Sequence, residues 1–502
     1  MLFNTLQYGA FFLIVFALHW ILPQSWRRPF LLIASYYFYA TVFAPYLILI
    51  LGLTAFNYGM GRWMGAAAQQ RRKLILILTV VGNLGSLAYF KYTDFILSSI
   101  QPVVNKLPTL GSLFTDPLYL KIFLPLGISF FTFEFIHYIA EVYKGREPMK
   151  NPVDFALFAA FFPTQIAGPI KRFPDFVKQI AHPISFKEVD VNGGLTLILK
   201  GLLKKVLIAD TLSPVVASLF GHSNQLGPLT TVFAILAFTT QIYCDFSGYT
   251  DMGRGSALLL GYTVPINFKS PYQSVKVGEF WERWHISLSS WLRDYLFIPL
   301  GGSRVAPYRV YVNLMITMAL GGLWHGASWH FMVWGVYQGI ILCFNRLWDR
   351  SVGKIKGYDK LIAFPLVNFL LRPLTFFWVS LGWVFFRADN LNIAFRMFAN
   401  LVNFSTDAWA GINLAGLSAP EGISTPALAV IGASAVVMAG WVWRPMQAPV
   451  TQATAALRSR IKPEWIAYAT DYVVRPSLYI IGLTIIVMWP PHEAVKFIYF
   501  QF

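Results

Sequence analysis

Long apolar stretches divide this chain from its first residues to its last, and basic clusters or glycine- and proline-rich breaks separate them. Residues 8–22, 73–90 and 477–488 offer water almost no polar side chain. A helix needs roughly 20 mostly apolar residues to cross a bilayer, and a shorter run is re-entrant or interfacial. By that measure about ten segments qualify, spread end to end. The pattern predicts an all-α polytopic membrane protein.

The segments alternate in a way that the basic residues make readable. Residues 8–22 lead to Arg27 and Arg28, and the stretches 30–43 and 46–60 lead to Arg71, Arg72 and Lys73. Basic loops collect on the cytoplasmic side, so two crossings between two inside loops are self-consistent. Residues 73–90 then exit, and 118–143 return to Lys144, Arg146 and Lys150. The stretch 153–170 is basic at both ends and contains Pro163, Gly168 and Pro169, which predicts a re-entrant or broken element. Irregular backbone at that depth survives only inside protein or beside a water-lined cavity.

Residues 195–220 begin amphipathically, with Lys200, Lys204 and Lys205 expected near the interface. Residues 229–243 form a clean span that ends in YCDFSGYTDMG. Further spans are expected at 310–324, 331–347, 361–386, part of 393–404, 425–443 and 477–488, with long loops at 405–424 and 447–475. No internal repeat is visible, which weighs against a repeat-built transporter. One membrane domain, 1–502, is expected, with an active-site core at about 118–350 and C-terminal helices over 361–502.

Composition sharpens the class. The chain is 56% hydrophobic and 13% charged, with a formal charge of +17. In such a protein the basic excess belongs in cytoplasmic loops and against anionic headgroups of membrane lipids, with no nucleic acid implied. No cleavable signal peptide is expected, because the first apolar run lacks a basic leader and a small-residue cleavage site. Cys244 and Cys343 both lie in apolar surroundings and suggest neither a disulfide framework nor a metal spacing.

Two histidines carry the candidate chemistry. His325 closes an apolar run and is surrounded by Gly321, Gly322, Gly326, Ala327 and Ser328. Ionisable groups at membrane depth are costly and face a cavity or a partner, and flanking glycines allow close approach. The bland alternative is a packed histidine bonded to a neighbouring helix. His285 lies on a helical pattern with Trp281, Trp284, Leu288, Trp291 and Tyr295 on one face and Glu282, Ser289 and Arg293 beside it. That predicts an amphipathic helix at headgroup level, where His285 could equally be an interfacial polar residue without chemistry. His330 falls about 140° further around a continuous helix than His325, away from the site.

Other patterns are weaker. Two E-x-x-H pairs occur, Glu134 with His137 and Glu282 with His285, but a di-iron carboxylate centre needs two more glutamates. No metal site is expected. Asp245 and Asp251 read as partners for Arg254 or as helix caps. No G-x-S-x-G elbow or P-loop is present, so a serine-based hydrolase is not written in the chain.

The motifs LLIASYYFYA, LPLGISFFTFEFIHYIAEVYKG, FFPTQIAGPIKRF, GLLKKVLIADTL, YCDFSGYTDMG, GEFWERWHISLSSWLRDYLFIPLGGSR, LGGLWHGASWHFMVWGVYQG and FIYFQF occur in that order. Together they resemble the membrane-bound O-acyltransferase (MBOAT) family, in its bacterial alginate O-acetyltransferase-like branch. The resemblance implies a ring of tilted and re-entrant helices around a central funnel or tunnel. It matches the family's catalytic histidine to His325 in GLWHGA and its second polar position to His285 in RWHISLS. Trp284, Ser289, Arg293, Asp294, Trp324 and Gly326 would support the tunnel, with Arg293 and Asp294 holding their helix in place. It further implies acetyl-CoA or another acyl thioester as the cytoplasmic donor, with no bound cofactor. The acceptor would be an extracytoplasmic polysaccharide such as alginate, cellulose or peptidoglycan. Separate periplasmic partners with a serine-hydrolase-like fold are expected, and the location is the bacterial plasma (inner) membrane. Glu282, Gln338 and Cys244 depart from the branch's usual residues but leave both histidines in place. Competing readings are D-alanyl transfer to teichoic acid, a non-catalytic transporter of glycan or acyl donor, and a scaffold.

Overall fold

The computed structural model describes residues 1–106, 119–165, 168–403, 477, 479–482 and 484. All regular structure among the described residues is helical, as the apolar pattern predicts. The expected spans 425–443 and most of 477–488, and the loops 405–424 and 447–475, lie outside the described residues.

The first four helices, Leu6–Ile21, Gln24–Phe43, Tyr46–Ala66 and Gln69–Leu87, are joined by connections too short for anything but reversal. The last of them continues through a π-helical turn, Ala88–Tyr92, into Thr93–Val104. By length and composition three described helical segments can cross a membrane: Gln69–Val104, Pro228–Leu259 and Pro365–Arg387. Within the predicted segment 118–143 the described helix is Ile128–Tyr143.

Polarity is sorted as lipid solvation demands. Leu13, Ile14, Ile33, Ile48 and Leu74 face outward, whereas Asn57 and Asn83 are wholly buried and exchange amide hydrogen bonds of 2.9 and 2.7 Å. In hydrocarbon, a polar pair between helices satisfies groups that lipid cannot.

The predicted broken element is present. Helix Pro152–Ala160 stops at Phe161, resumes over Phe162–Gln165, and is buried almost throughout. Ser35 accepts the Phe162 N–H at 3.1 Å, which satisfies one backbone donor at the break. Beyond it, Lys171 pairs with Glu134 at 2.9 Å and donates to Thr164 at 2.7 Å, with both charged side chains almost completely enclosed.

Two expectations are corrected in the middle of the chain. The motif YCDFSGYTDMG does not end a span but lies inside the continuous helix Pro228–Leu259. Lys205 is not interfacial: its side chain is 1% exposed and bridges Asp210 at 2.7 Å and Asp245 at 2.6 Å. A π-helical stretch, Leu203–Asp210, carries Lys205 toward the long helix. Asp251 pairs with Lys204 at 2.6 Å and more distantly with Arg254 at 3.7 Å. The two backbones approach so closely at Gly201 and Gly248 that a Cβ on either residue would collide with the other's carbonyl.

Candidate active site

The element bearing His325 begins with a proline-started helix, Pro307–His325. It ends because Gly326 is extended and leads to an antiparallel partner, Trp329–Ser351. Gly322 and Gly335 let these helices touch, since a Cβ on either would strike opposing backbone. The helix end at His325 means that His330 belongs to the next helix, so its angular offset on one continuous wheel does not apply. His330 is engaged elsewhere, 3.0 Å from the Phe385 carbonyl through Nδ1.

His285 departs from its predicted setting. No continuous amphipathic helix spans this stretch. Helix Val277–Arg283 stops, Trp284 is extended, His285 adopts a left-handed conformation (φ 43°, ψ 53°), and a new helix runs over Ile286–Leu292. Asn267 holds the break: its carbonyl accepts Ile286 N–H at 3.0 Å and its side-chain oxygen accepts the Ser287 hydroxyl at 2.6 Å. The left-handed step turns the histidine inward, where it is 0% exposed. A non-glycine residue in this region costs roughly 1–2 kcal/mol, so the surrounding bonds must hold it there.

The two imidazoles meet at one indole. The His285 ring lies 6.0 Å from the Trp324 ring centre and the His325 ring 4.9 Å, both edge-on. His285 packs against Phe246 at 4.7 Å, and His325 against Trp334 at 5.0 Å and Phe386 at 5.3 Å. Neither ring nitrogen of His285 has a hydrogen-bond partner among the described residues. A buried polar group without a partner costs roughly 1–3 kcal/mol relative to a bonded one.

Nothing in the sequence pattern marks Lys91, yet it completes this centre. It sits in the π-helical turn Ala88–Tyr92 and donates to the carbonyls of Trp324 and His325, the latter at 3.4 Å. Tyr92 donates to the Leu323 carbonyl at 2.9 Å. The last carbonyls of a helix have no partners within it, and a cation there is favoured by the helix dipole. The segment Gln69–Val104 thus caps the end of the helix that presents His325.

The remaining expected site residues divide. Trp284 is buried in an aromatic wall with Trp383 at 4.8 Å, and the Ser289 hydroxyl donates to the Trp284 carbonyl at 3.1 Å across the break. Asp294 joins Arg293 at 2.8 Å to Arg172 at 3.0 Å, and Arg172 also donates to Ser290. The Arg293 side chain is 63% exposed, at the edge rather than beside the histidines. Gly326 lies under the Phe331 ring, with no room for a Cβ. The first E-x-x-H pair is engaged within the protein: Glu134 is taken by Lys171, and His137 Nε2 accepts the Phe173 N–H at 2.9 Å.

A cleft of about 840 Å³ opens beside the histidine turn, with Lys91, Asp94, Gly326, Trp329, His330 and Arg387 among its walls. It approaches the site from the side where Gln69–Val104 and Pro365–Arg387 end.

A buried histidine pair sits within an apolar helical bundle, and comparison with known proteins gives the class of membrane protein. Residues 146–382 match the membrane-bound O-acyltransferase family, MBOAT. The chain belongs to that family and is an O-acyltransferase. It is 40% identical over 462 residues to the probable alginate O-acetylase AlgI of Pseudomonas aeruginosa, covering 91% of this chain and 85% of that protein. It is 34% identical over 440 residues to the peptidoglycan O-acetyltransferase of Helicobacter pylori (82% and 78% covered). To the teichoic acid D-alanyltransferase of Streptococcus thermophilus it is 28% identical over 335 residues (62% and 74% covered).

Proposed function

We propose that this protein moves an acetyl group from a cytoplasmic thioester, acetyl-CoA or a related carrier, to a hydroxyl on the far side of the bacterial inner membrane. The final acceptor is an extracytoplasmic polysaccharide, alginate-like in the first instance. The acetyl reading stands ahead of D-alanyl transfer because the O-acetylating relatives are 40% and 34% identical, against 28% for the D-alanyltransferase.

The observation that carries the mechanism is the buried histidine pair on Trp324. His325 acts as general base: its unprotonated nitrogen takes the acceptor hydroxyl proton while that oxygen attacks the thioester carbonyl. The new C–O bond forms and the C–S bond breaks, and the proton that His325 took passes to the leaving thiolate, which departs toward the donor side as the thiol. Such base assistance gives roughly 10²- to 10⁴-fold in rate. His285, whose ring nitrogens are free to bond a ligand, orients or polarises the donor carbonyl. The attacking hydroxyl belongs either to the polymer or to a periplasmic serine-hydrolase-like partner that relays the acetyl group.

Inside-out vesicles supplied with isotopically labelled acetyl-CoA test this. Label reaching polymer or partner with wild type but not with His325→Ala supports the mechanism and names the acceptor. Equal transfer by the variant removes His325 from the chemistry. No transfer by either, with every candidate partner present, favours transport or scaffolding.

A further inference from the structure

The cleft of about 840 Å³ beside the histidine turn opens at one end of the bundle, and three helices say which. Gln69–Val104 carries Arg71, Arg72 and Lys73 at its start and Asp94 in the cleft wall. About 30 Å of helix separates Lys73 from Asp94, roughly the thickness of a bilayer's hydrocarbon core. Trp329–Ser351 starts at the cleft and carries Arg346 and Arg350 near its far end. Pro365–Arg387 follows Lys354, Lys356 and Lys360 and ends at the cleft. Basic clusters collect on the cytoplasmic side, so the cleft faces the opposite one.

The charged groups in its walls are engaged within the protein. Lys91 is held by the Trp324 and His325 carbonyls, and Asp94 accepts the N–H groups of Leu120 and Ile122 at 2.8 and 3.1 Å. Arg387 pairs with Asp389 at 3.2 Å. What the wall leaves open is uncharged.

His330 supplies the polar part. Its Nδ1 faces the Phe385 carbonyl at 3.0 Å, and a carbonyl only accepts, so Nδ1 carries the proton. Nε2 is then a lone-pair acceptor. It has no partner among the described residues, and unlike the nitrogens of His285 it is not sealed by surrounding atoms but opens into the cleft that the ring lines. Trp329 supplies the apolar part. Its indole is 52% exposed, donates to the Ser99 hydroxyl at 3.2 Å and meets Phe95 edge-on at 5.4 Å, so an open aromatic face is held in one orientation. An acceptor nitrogen and a fixed indole in one cleft suit a ligand that combines hydroxyl donors with apolar C–H faces, which is the chemistry of a sugar ring.

We infer that this cleft seats the sugar acceptor, with His330 Nε2 accepting a hydrogen bond from one of its hydroxyls and Trp329 lying against a ring face. The inference rests on the transfer to a polysaccharide proposed above. His330 takes no proton in the reaction. It is a positioning residue, and the hydroxyl that reacts reaches His325 past Gly326, which shares the cleft wall.

The test uses the purified full-length protein in neutral detergent and a mannuronate tetrasaccharide as the alginate-like probe. Equilibrium dialysis gives its Kd, and labelled acetyl-CoA gives separate KM values for donor and acceptor. The amide of His330→Asn can still donate to the Phe385 carbonyl but places nothing at Nε2, whereas His330→Gln does the reverse. His330→Asn should raise the Kd and the acceptor KM about tenfold, with the acetyl-CoA KM and thermal midpoint as in wild type. His330→Gln should recover part of the binding. A purely structural histidine predicts the opposite order. If His330→Asn does not fold, Trp329→Ala, at an exposed position, decides in its place by the same constants. Binding by wild type without transfer, weakened by His330→Asn, would sink the acetyl-transfer reading and keep the cleft as a sugar site. The inference itself fails if wild type leaves the tetrasaccharide unbound, if folded His330→Asn binds it as wild type does, or if the acetyl-CoA KM rises as much as the acceptor KM.

Discussion

His285 and His325 both present their rings edge-on to the indole of Trp324, at 6.0 and 4.9 Å between ring centres. Trp324 is itself fixed by Phe133 at 5.4 Å and Phe130 at 5.3 Å, on a helix from a different part of the chain. The indole therefore sets the spacing of the two candidate catalytic groups. Trp324→Leu should lower acyl transfer by about 10-fold or more while the protein still inserts, because misplacing reacting groups by about an ångström costs up to roughly 10² in rate. Labelled-acetyl transfer in vesicles, normalised to the amount of inserted protein, checks this; undiminished transfer would show that the indole is only filler.

The left-handed backbone at His285 separates a fold requirement from a chemical one. Asparagine tolerates that conformation, whereas a β-branched residue does not. His285→Asn should keep near-wild-type thermal stability and lose transfer. His285→Val should lose transfer and be less stable than the asparagine variant by about 1–2 kcal/mol. Unfolding curves of the two variants in detergent compare them directly, and equal stability would argue against strain at this residue.

Lys91 caps the helix end that presents His325. Lys91→Met should cost about 1–3 kcal/mol, the range for losing hydrogen bonds from a charged donor, and should reduce transfer as well. Lys91→Arg, which keeps the charge and the donors, should recover part of both. The measurement is transfer rate alongside thermal midpoint for the two variants. A methionine variant as active as wild type would confine Lys91 to packing.

Lys205 lies between Asp210 and Asp245, all three side chains being at most 3% exposed. Removing one member of a buried charge cluster leaves uncompensated charge and costs about 3–5 kcal/mol. Lys205→Met should therefore express poorly or melt early. The triple change Lys205→Met, Asp210→Asn, Asp245→Asn, which removes all the charge, should recover much of that loss. Membrane yield and thermal midpoint report both, and no difference between single and triple variants would contradict the charge argument.

Much of this could be read in advance, and the failures have a common cause. The broken element at 152–165 was legible because Pro163, Gly168 and Pro169 interrupt an apolar stretch flanked by basic residues on both sides. His325 stood out as a polar group among glycines at the end of an apolar run. The helical wheel predicts one amphipathic helix at headgroup level around His285 because it assumes an unbroken helix, and the break at Trp284 and His285 is held by Asn267, outside the wheel. Local amphipathicity puts Lys205 at the interface because its partner Asp245 is on another helix and invisible to it.

Hydropathy and the order of basic clusters were enough to determine an all-α membrane protein, and the ordered motifs point to O-acyl transfer through their resemblance to a known family. Those properties depend on the solvation of single segments and on local residue identity, and both are written along the chain. Tertiary structure alone decided that His285 turns inward, that it and His325 share Trp324, that Lys91 caps the helix that presents His325, and that two arginines and His19 line one cavity. Each of these depends on residues distant in sequence meeting through helix packing, which no local periodicity encodes.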